Sequence, residues 1–569
     1  MTRRLSHRLR AAATAAMVVA ALAACVAIPS HGPVAEGVVK INEPAPVTLL
    51  GYSPEQDATP VEIVQGFLNA SAAGLSRETT ADVATNFSVA REYLSGEVRT
   101  TWNPNEQVVV YPTASSPEVT ELTESQVQVR VGVAARIDDR GIYEEGAPGS
   151  QQSLVFDLVR DSGGQWRISR LDNGVVLSEP NFGLVFRTAT VYFLSADSSY
   201  LVPETRWFPV RNLATSLVRA LIDGPSPWLR DAVRTAVPDG VRLDKLAVPV
   251  DEDGTAVVAL SGAALGDTEE RRLMLAQLEA TLDVAQVNAV EVVAGGVPLA
   301  WEPADLTRGS LTSESALEVV QGDTLMTFRH GELEPAQGVG PLTGLDVTST
   351  ARNEEGTVRV ASGRDSLRRA SSGGLGEELA AGEGLTAPSV DRLGWVWTAV
   401  AGPDGSVLTA VRADGTRQPV RADWLAGRTV HELRVARDGT RVAVLSTGTD
   451  GFELGVAGIV RDRDGAPQQL GEPLSVGATL TSASRVVWVD ESTLGVLGKT
   501  AAATATTVYL APLAGQTRPL PALEGIDALA GGKGERLLYV TTSNGDLYVR
   551  SGASWARTAT GVRAPSFPG

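Results

Sequence analysis

Cysteine is almost missing from this chain: Cys25 is the only one in 569 residues. With that thiol committed elsewhere, disulfides, cysteine metal sites and thiol catalysis are all closed off. Histidine is nearly as scarce, with four in the chain, and none falls in a metal-binding pattern such as H-E-x-x-H. Basic residues are outnumbered, with 49 Lys and Arg against 67 Asp and Glu and a net charge of -18. Such a surface repels phosphates, so nucleic acid is excluded as a partner. Long apolar runs are lacking too. The best, Ala11 to Ala24 with Thr14 as its one polar residue, falls short of the about 20 residues that a helix needs to cross a bilayer. What remains is ordinary globular material: 43% hydrophobic and 20% charged residues, with 58 Gly and 31 Pro to supply turns. The length predicts about three to four domains.

The short apolar run follows Arg3, Arg4, Arg8 and Arg10 and ends in Leu22-Ala23-Ala24-Cys25. A basic head, a short apolar core and small exit residues describe a secretory signal peptide, here 1–24. The last four residues resemble a bacterial lipobox. That resemblance implies cleavage before Cys25, an S-diacylglycerol on its sulfur and an acyl chain on the freed amine. Two or more chains give stable anchoring where one is marginal, so the expected location is the extracytoplasmic face of the cell membrane. Residues 25–58 carry Pro and Gly without periodicity and read as a flexible tether with an end-to-end distance on the order of 30 Å.

A first domain is expected over 59–186. Thr59-Pro60 is a helix start, with Val61, Val64, Phe67 and Leu68 on one face, and a second helix is expected near 81–94. Strands follow at 107–111, 126–137, 153–160 and 165–171, the last two joined by an Asp161-Ser-Gly-Gly turn. Helices followed by strands predict an α+β domain, with a curved sheet wrapping a helix as one arrangement. A second domain, 187–305, opens on the alternating strand Ala189–Ser195 and runs through a variable segment to Pro209. A helix from Asn212, stopped by Gly224-Pro225, a strand near 245–250, an Asp253-Gly254 hairpin, a helix near 269–285 and a strand at 289–293 complete it.

Val191-Tyr-Phe-Leu, Leu221-Ile-Asp-Gly-Pro and Ala236-Val-Pro-Asp-Gly-Val resemble the GerMN domain of spore-germination proteins, which implies an α/β fold with a mixed sheet. Across 310–569, short β segments alternate with the turn pairs Asp404-Gly405, Asp414-Gly415, Asp438-Gly439, Asp464-Gly465 and Asn544-Gly545, which suit tight hairpins. Units recur from Ser389, His431, Thr481 and Ile526. Spacing of about 40–45 residues fits propeller blades, with a β-sandwich as the alternative. The fold class is therefore multi-domain: α+β, then α/β, then an all-β propeller.

These parts in this order, with Leu393-Gly-Trp-Val-Trp, Leu433-Arg-Val-Ala-Arg-Asp-Gly-Thr-Arg, Val487-Trp-Val-Asp-Glu-Ser-Thr-Leu-Gly and Asn544-Gly-Asp-Leu-Tyr-Val-Arg, resemble the actinobacterial lipoprotein LpqB family. The resemblance implies a membrane-anchored accessory of an MtrB-like sensor kinase governing cell-wall metabolism and division. Its partners would be the kinase's extracytoplasmic domain, the membrane through the lipid and, as a further contact, peptidoglycan. No catalytic, cofactor or metal residue is assigned. His330 and His431 are candidates for a hydrolytic triad, but no G-x-S-x-G elbow accompanies them. Gly498-Lys499-Thr500 mimics the end of a phosphate loop and reads instead as a turn. Asp251-Glu252-Asp253 lacks the spacing of a calcium loop. Trp395 and Trp397 share one strand face, as blade packing or as a sugar platform. The rival reading is a glycan- or peptide-binding receptor, or a hydrolase, using the propeller cleft.

Overall fold

The computed structural model describes residues 49–75, 87–261, 267–299, 302–309, 311–312 and 314–569. Leu22, Ala23, Ala24, Cys25 and the tether up to 48 lie outside the described residues. So do 81–86 of the expected second helix.

Helix α1 (Pro60–Gly74) begins as its sequence requires. The Thr59 hydroxyl accepts from Glu62 N, and the Glu62 carboxylate reaches back to Thr59 N at 2.8 Å. This reciprocal pair satisfies two donors that the first turn leaves open. Its apolar face is Ile63, Val64, Phe67 and Ala70; Val61 and Leu68 are only half-buried. Phe67 meets Trp102 and Phe156 edge-on, 5.1 and 6.2 Å between ring centroids. The short helices α2 (Ser88–Glu92) and α3 (Val98–Thr101) follow. Two four-stranded sheets then pack against α1. One orders Glu118–Thr123, Gln126–Gly132, Gln151–Arg160 and Trp166–Arg170; the other orders Tyr143–Glu145, Ala135–Asp138, Gln107–Tyr111 and Val175–Ser178. Trp166 is half-buried beneath the Arg160 guanidinium, 4.4 Å from the ring centroid.

Helix α4 (Glu179–Val185) leads into a long hairpin, Phe186–Ser195 with Leu201–Pro209. The segment read as variable is thus a nine-residue strand. Pro203 obscured it, yet proline is admissible because this strand is the edge of its sheet. Helices α5 (Leu213–Asp223), α6 (Pro227–Arg230) and α7 (Thr268–Thr281) surround a mixed sheet, in which Thr255–Ser261 runs parallel to Ala289–Ala294. The strand expected at 245–250 does not form. Pro249 has no N–H to give a ladder, Val250 makes only an isolated bridge to Ala256, and the pairing falls instead to Arg242–Leu243.

The C-terminal region builds six sheets arranged as propeller blades among the described residues. Blade 1 is Leu317–Gln321, Thr324–Arg329 and Glu332–Pro335, and its innermost strand is Arg563–Ser566 from the far end of the chain. Blades 2 to 6 begin at Ser349, Ser389, Thr429, Leu480 and Ile526. The inner strands neighbour one another around a closed ring, which excludes the sandwich alternative. Closure by a strand from the other terminus removes the free edge that an open ring would leave. Glycines 405, 415, 439, 465 and 545 all have φ between +70° and +107°, as their turn pairs require.

Residues 46–569 form one compact unit. The apolar core of the second domain continues without a break into blades 4 and 5 through Leu445, Val456 and Leu494. Gly458 lets blade 4 approach α6 and the turn after it: a Cβ there would lie 3.1 Å from Trp228 O and 2.6 Å from Ala232 Cβ.

Candidate functional site

All six inner strands run the same way round the axis, so their C-terminal ends and the loops that follow gather on one face. Four of these loops carry the same device. The side chains of Asn353, Asp391, Asp438 and Asp490 each accept backbone N–H groups within their own turn: Val358, Leu393 and Trp395, Thr440, and Ser492, at 2.7 to 3.0 Å. Asx turns of this kind fix the loops locally.

The second domain sits on this face. Arg392 holds Asp197 through two hydrogen bonds of 2.9 and 2.7 Å. Burial would raise the Asp197 carboxyl, but hydrogen bonds from Arg392, Ser195 and Ser199 outweigh it and hold it well below the usual carboxylate range. Arg441 is buried, 2% exposed, and binds Asp438 Oδ2 through Nε and Nη2 at 2.9 and 2.7 Å. Its Nη1 donates across the interface to Pro203 O at 3.3 Å and to Glu491 O at 2.8 Å. Tyr192 donates its hydroxyl to Glu491 at 3.1 Å. Burial first, then the charge of Glu491, pushes this phenol up, so it stays protonated as a donor. The first domain is tied in as well. Trp207 N of the second domain donates to Gly141 O at 2.8 Å, and Thr517 of the propeller makes two bonds to Glu145 at 2.7 and 2.8 Å, while Trp207 Nε1 joins the second domain to the propeller at Ala514 O, 3.0 Å away.

Tyr200, Leu201, Pro203 and Gly309 therefore roof one end of a central cavity of about 320 Å³. At the other end the inner strands begin, and His431 and Arg364 are exposed there. Between them lies Glu432, 1% exposed, which pairs with Arg434 on the same strand face and accepts from Val486 N at 3.3 Å. Burial raises its carboxyl above the ordinary range, against the opposing charges of Arg434 and Arg485. Arg434 is anchored through Nη1 to the carbonyls of Ala387, Pro388 and Leu433.

The residues weighed from sequence take ordinary places. His431 Nε2 lies 2.9 Å from Thr447 Oγ1, and His330 sits exposed in a turn with φ of +51°. Trp395 and Trp397 are buried at 3% and 0% exposure between blades 3 and 4, so neither offers a sugar platform. Trp397 Nε1 donates to Asp391, which also binds Arg461. Gly498, Lys499 and Thr500 belong to the strand Thr493–Thr500, not to a turn. Asp251 accepts from Asp253 N and Thr255 N, which makes it a hairpin cap. Sequence reading missed Glu432, Arg434, Arg441 and Arg485. The one local signal was the recurrence of arginine at 434, 437 and 441 in an otherwise apolar strand pair.

The architecture defines a class of three-domain propeller protein whose middle domain caps the propeller. Comparisons with known proteins agree. Residues 53–183 match the model "Lipoprotein LpqB, N-terminal domain", 190–300 match "Sporulation and spore germination", and 323–568 match "Lipoprotein LpqB beta-propeller domain". The chain is 27% identical to lipoprotein LpqB of Thermobifida fusca, over 99% of each chain. It is 29% identical to that of Streptomyces coelicolor over 96% of each, and 28% identical to that of Bifidobacterium longum over 72% of this chain and 71% of that one. The chain belongs to the lipoprotein LpqB family. Among solved structures, TolB from Acinetobacter baumannii is similar at a TM-score of 0.33 and 13% identity, over 44% of this chain and 66% of that chain.

Proposed function

We propose that this protein is a non-catalytic binding scaffold, held by lipid on Cys25 at the extracytoplasmic face of the membrane. There it acts as an accessory of a sensor kinase that controls cell-wall metabolism and division. The observation that carries the scaffold reading is the weld between domains: Arg441, Arg392, Tyr192 and Trp207 bond across their boundaries. A body built this way presents a fixed surface. Tethering supports the partner reading, because confinement beside a membrane kinase raises effective concentration and makes a weak contact sufficient. Signalling then requires that the scaffold bind one kinase state better than another, since equal affinity shifts nothing.

Cross-linking in intact membranes followed by pull-down tests this. The outer domain of a sensor kinase is expected among the captured partners, and its repeated absence overturns the kinase role. The Cys25→Ala variant is expected to leave the membrane fraction or remain unprocessed, and mass spectrometry of the wild-type N-terminus is expected to show an acylated Cys25.

A further inference from the structure

The two ends of the central cavity are charged differently. At the roofed end every cation has an acid: Arg437 pairs with Glu354 at 2.7 Å and Arg441 with Asp438 at 2.7 Å. At the open end, Arg434, Arg485, Arg364 and His431 line the wall with Glu432 as the one acid, and Glu432 is already taken by Arg434. Arg485 donates to its neighbour's carbonyl, Ser484 O, at 2.9 Å. No ion pair forms to Arg485 or Arg364 among the described residues. In a chain with a net charge of -18, an uncompensated positive half-channel is an unusual place for cations to gather. Arg485 is half-exposed and Arg364 exposed, so both face the channel water with charge to offer an anion from outside.

Two features narrow that anion. Arg434 is spent on three backbone carbonyls and on Glu432, which leaves Arg485 as the guanidinium with donors to spare, and a guanidinium fork suits the planar, two-oxygen face of a carboxylate. Leu385, Pro388, Val487 and Leu529 line the same cavity, so its walls suit a ligand with an apolar body behind the charge. A volume of about 320 Å³ is at the small end of the range for small-molecule sites and takes a few residues of peptide. We propose that the open half of the propeller channel binds a carboxylate-bearing short peptide, with Arg485 holding the carboxylate and Arg364 and His431 at the rim. The proposal does not rest on the kinase reading, and its failure leaves that reading untouched.

Calorimetric titration of the purified full-length lipoprotein in detergent with acetyl-triglutamate tests the proposal. The control titrants are acetyl-triglutamine and inorganic phosphate. Binding of the triglutamate alone is expected, weakening with salt as an exposed charge contact should. Arg485→Gln is expected to lower its affinity about tenfold, with Arg485→Lys between the two. Arg485 is half-exposed, and an unchanged melting temperature in Arg485→Gln separates lost binding from lost folding. Equal binding of triglutamine, preference for phosphate, an Arg485→Gln variant that binds as well as the wild type, or no binding up to about 10 mM, a level corresponding to only a few kcal/mol, each overturns it.

Discussion

Replacing Arg441 by Met probes the joint between the propeller and the domain that roofs it. The side chains of Arg441 and Asp438 are 2% and 6% exposed. The methionine stem fills the same slot beside Trp488, over which the guanidinium now lies at 4.9 Å, so packing is largely kept. What is lost is the charge. Asp438 is left as a buried anion whose Oδ2 has no donor, and Pro203 O and Glu491 O each lose a bond. Breaking a buried pair from one side costs about 3–5 kcal/mol. Asp438→Asn strands the cation instead, while its amide oxygen still serves Thr440 N as Oδ1 does now at 2.7 Å. Removing both charges avoids either isolated ion, so the double variant should be more stable than the two single losses sum to, by about 1–3 kcal/mol. Urea unfolding of the four proteins measures this, and limited proteolysis near 302–309 reports whether the roof loosens. A cost below about 1 kcal/mol for Arg441→Met with additive singles would refute the view that this pair is a buried, interdependent joint.

Asp391→Ala should be comparably damaging, because it deprives Leu393 N, Trp395 N, Trp397 Nε1 and the 4%-exposed Arg461 of one shared acceptor; a shift in melting temperature within error would contradict this. Thr59→Ala should cost about 1 kcal/mol through the lost cap of α1, seen as a lower urea midpoint with unchanged slope. Stability should fall with acid partly through Asp197. Its carboxyl is held low in the folded state, so its contribution is present above the unfolded value of about 3.9 and is lost as pH drops below it. Asp197→Asn should therefore show a shallower loss of stability below about pH 4 than the wild type. Gly141→Ala should separate the first domain from the second, since a Cβ there meets Trp207 O at 2.3 Å and φ is +82°; unchanged protease resistance between them would argue otherwise.

How much of this was readable in advance follows from how local each determinant is. The cap at Thr59, the positive-φ glycine at 224 that ends α5 and the Asp-Gly turns are decided within four or five residues, and each was legible. Blades 3 to 6 start at or beside the units read from Ser389, His431, Thr481 and Ile526, because each has its own turn pairs or apolar strand signals. Blade 1 showed only the apolar strand segments Val319-Val320 and Leu325-Met-Thr-Phe, and these are not its inner strand. Its inner strand lies more than two hundred residues away at Arg563–Ser566, with a register shift between Glu318 and Val320, and nothing in the local pattern of either strand names the other. The arginines failed for the same reason. Arg434, Arg441 and Arg461 look like solvent-facing charges in strands that alternate, yet each also bonds to a group from another blade or the neighbouring domain. Arg461 meets Asp391 of blade 3, Arg441 meets Pro203 of the roof, and Arg434 meets the carbonyls of 387 and 388. A buried charge is acceptable only when paired: Arg434 and Arg441 have their acids, Glu432 and Asp438, within three residues, but their remaining donors are satisfied only once the ring has closed and, for Arg441, the roof has docked. The side chains that make the channel are thus also those whose placement depends most on the assembled fold.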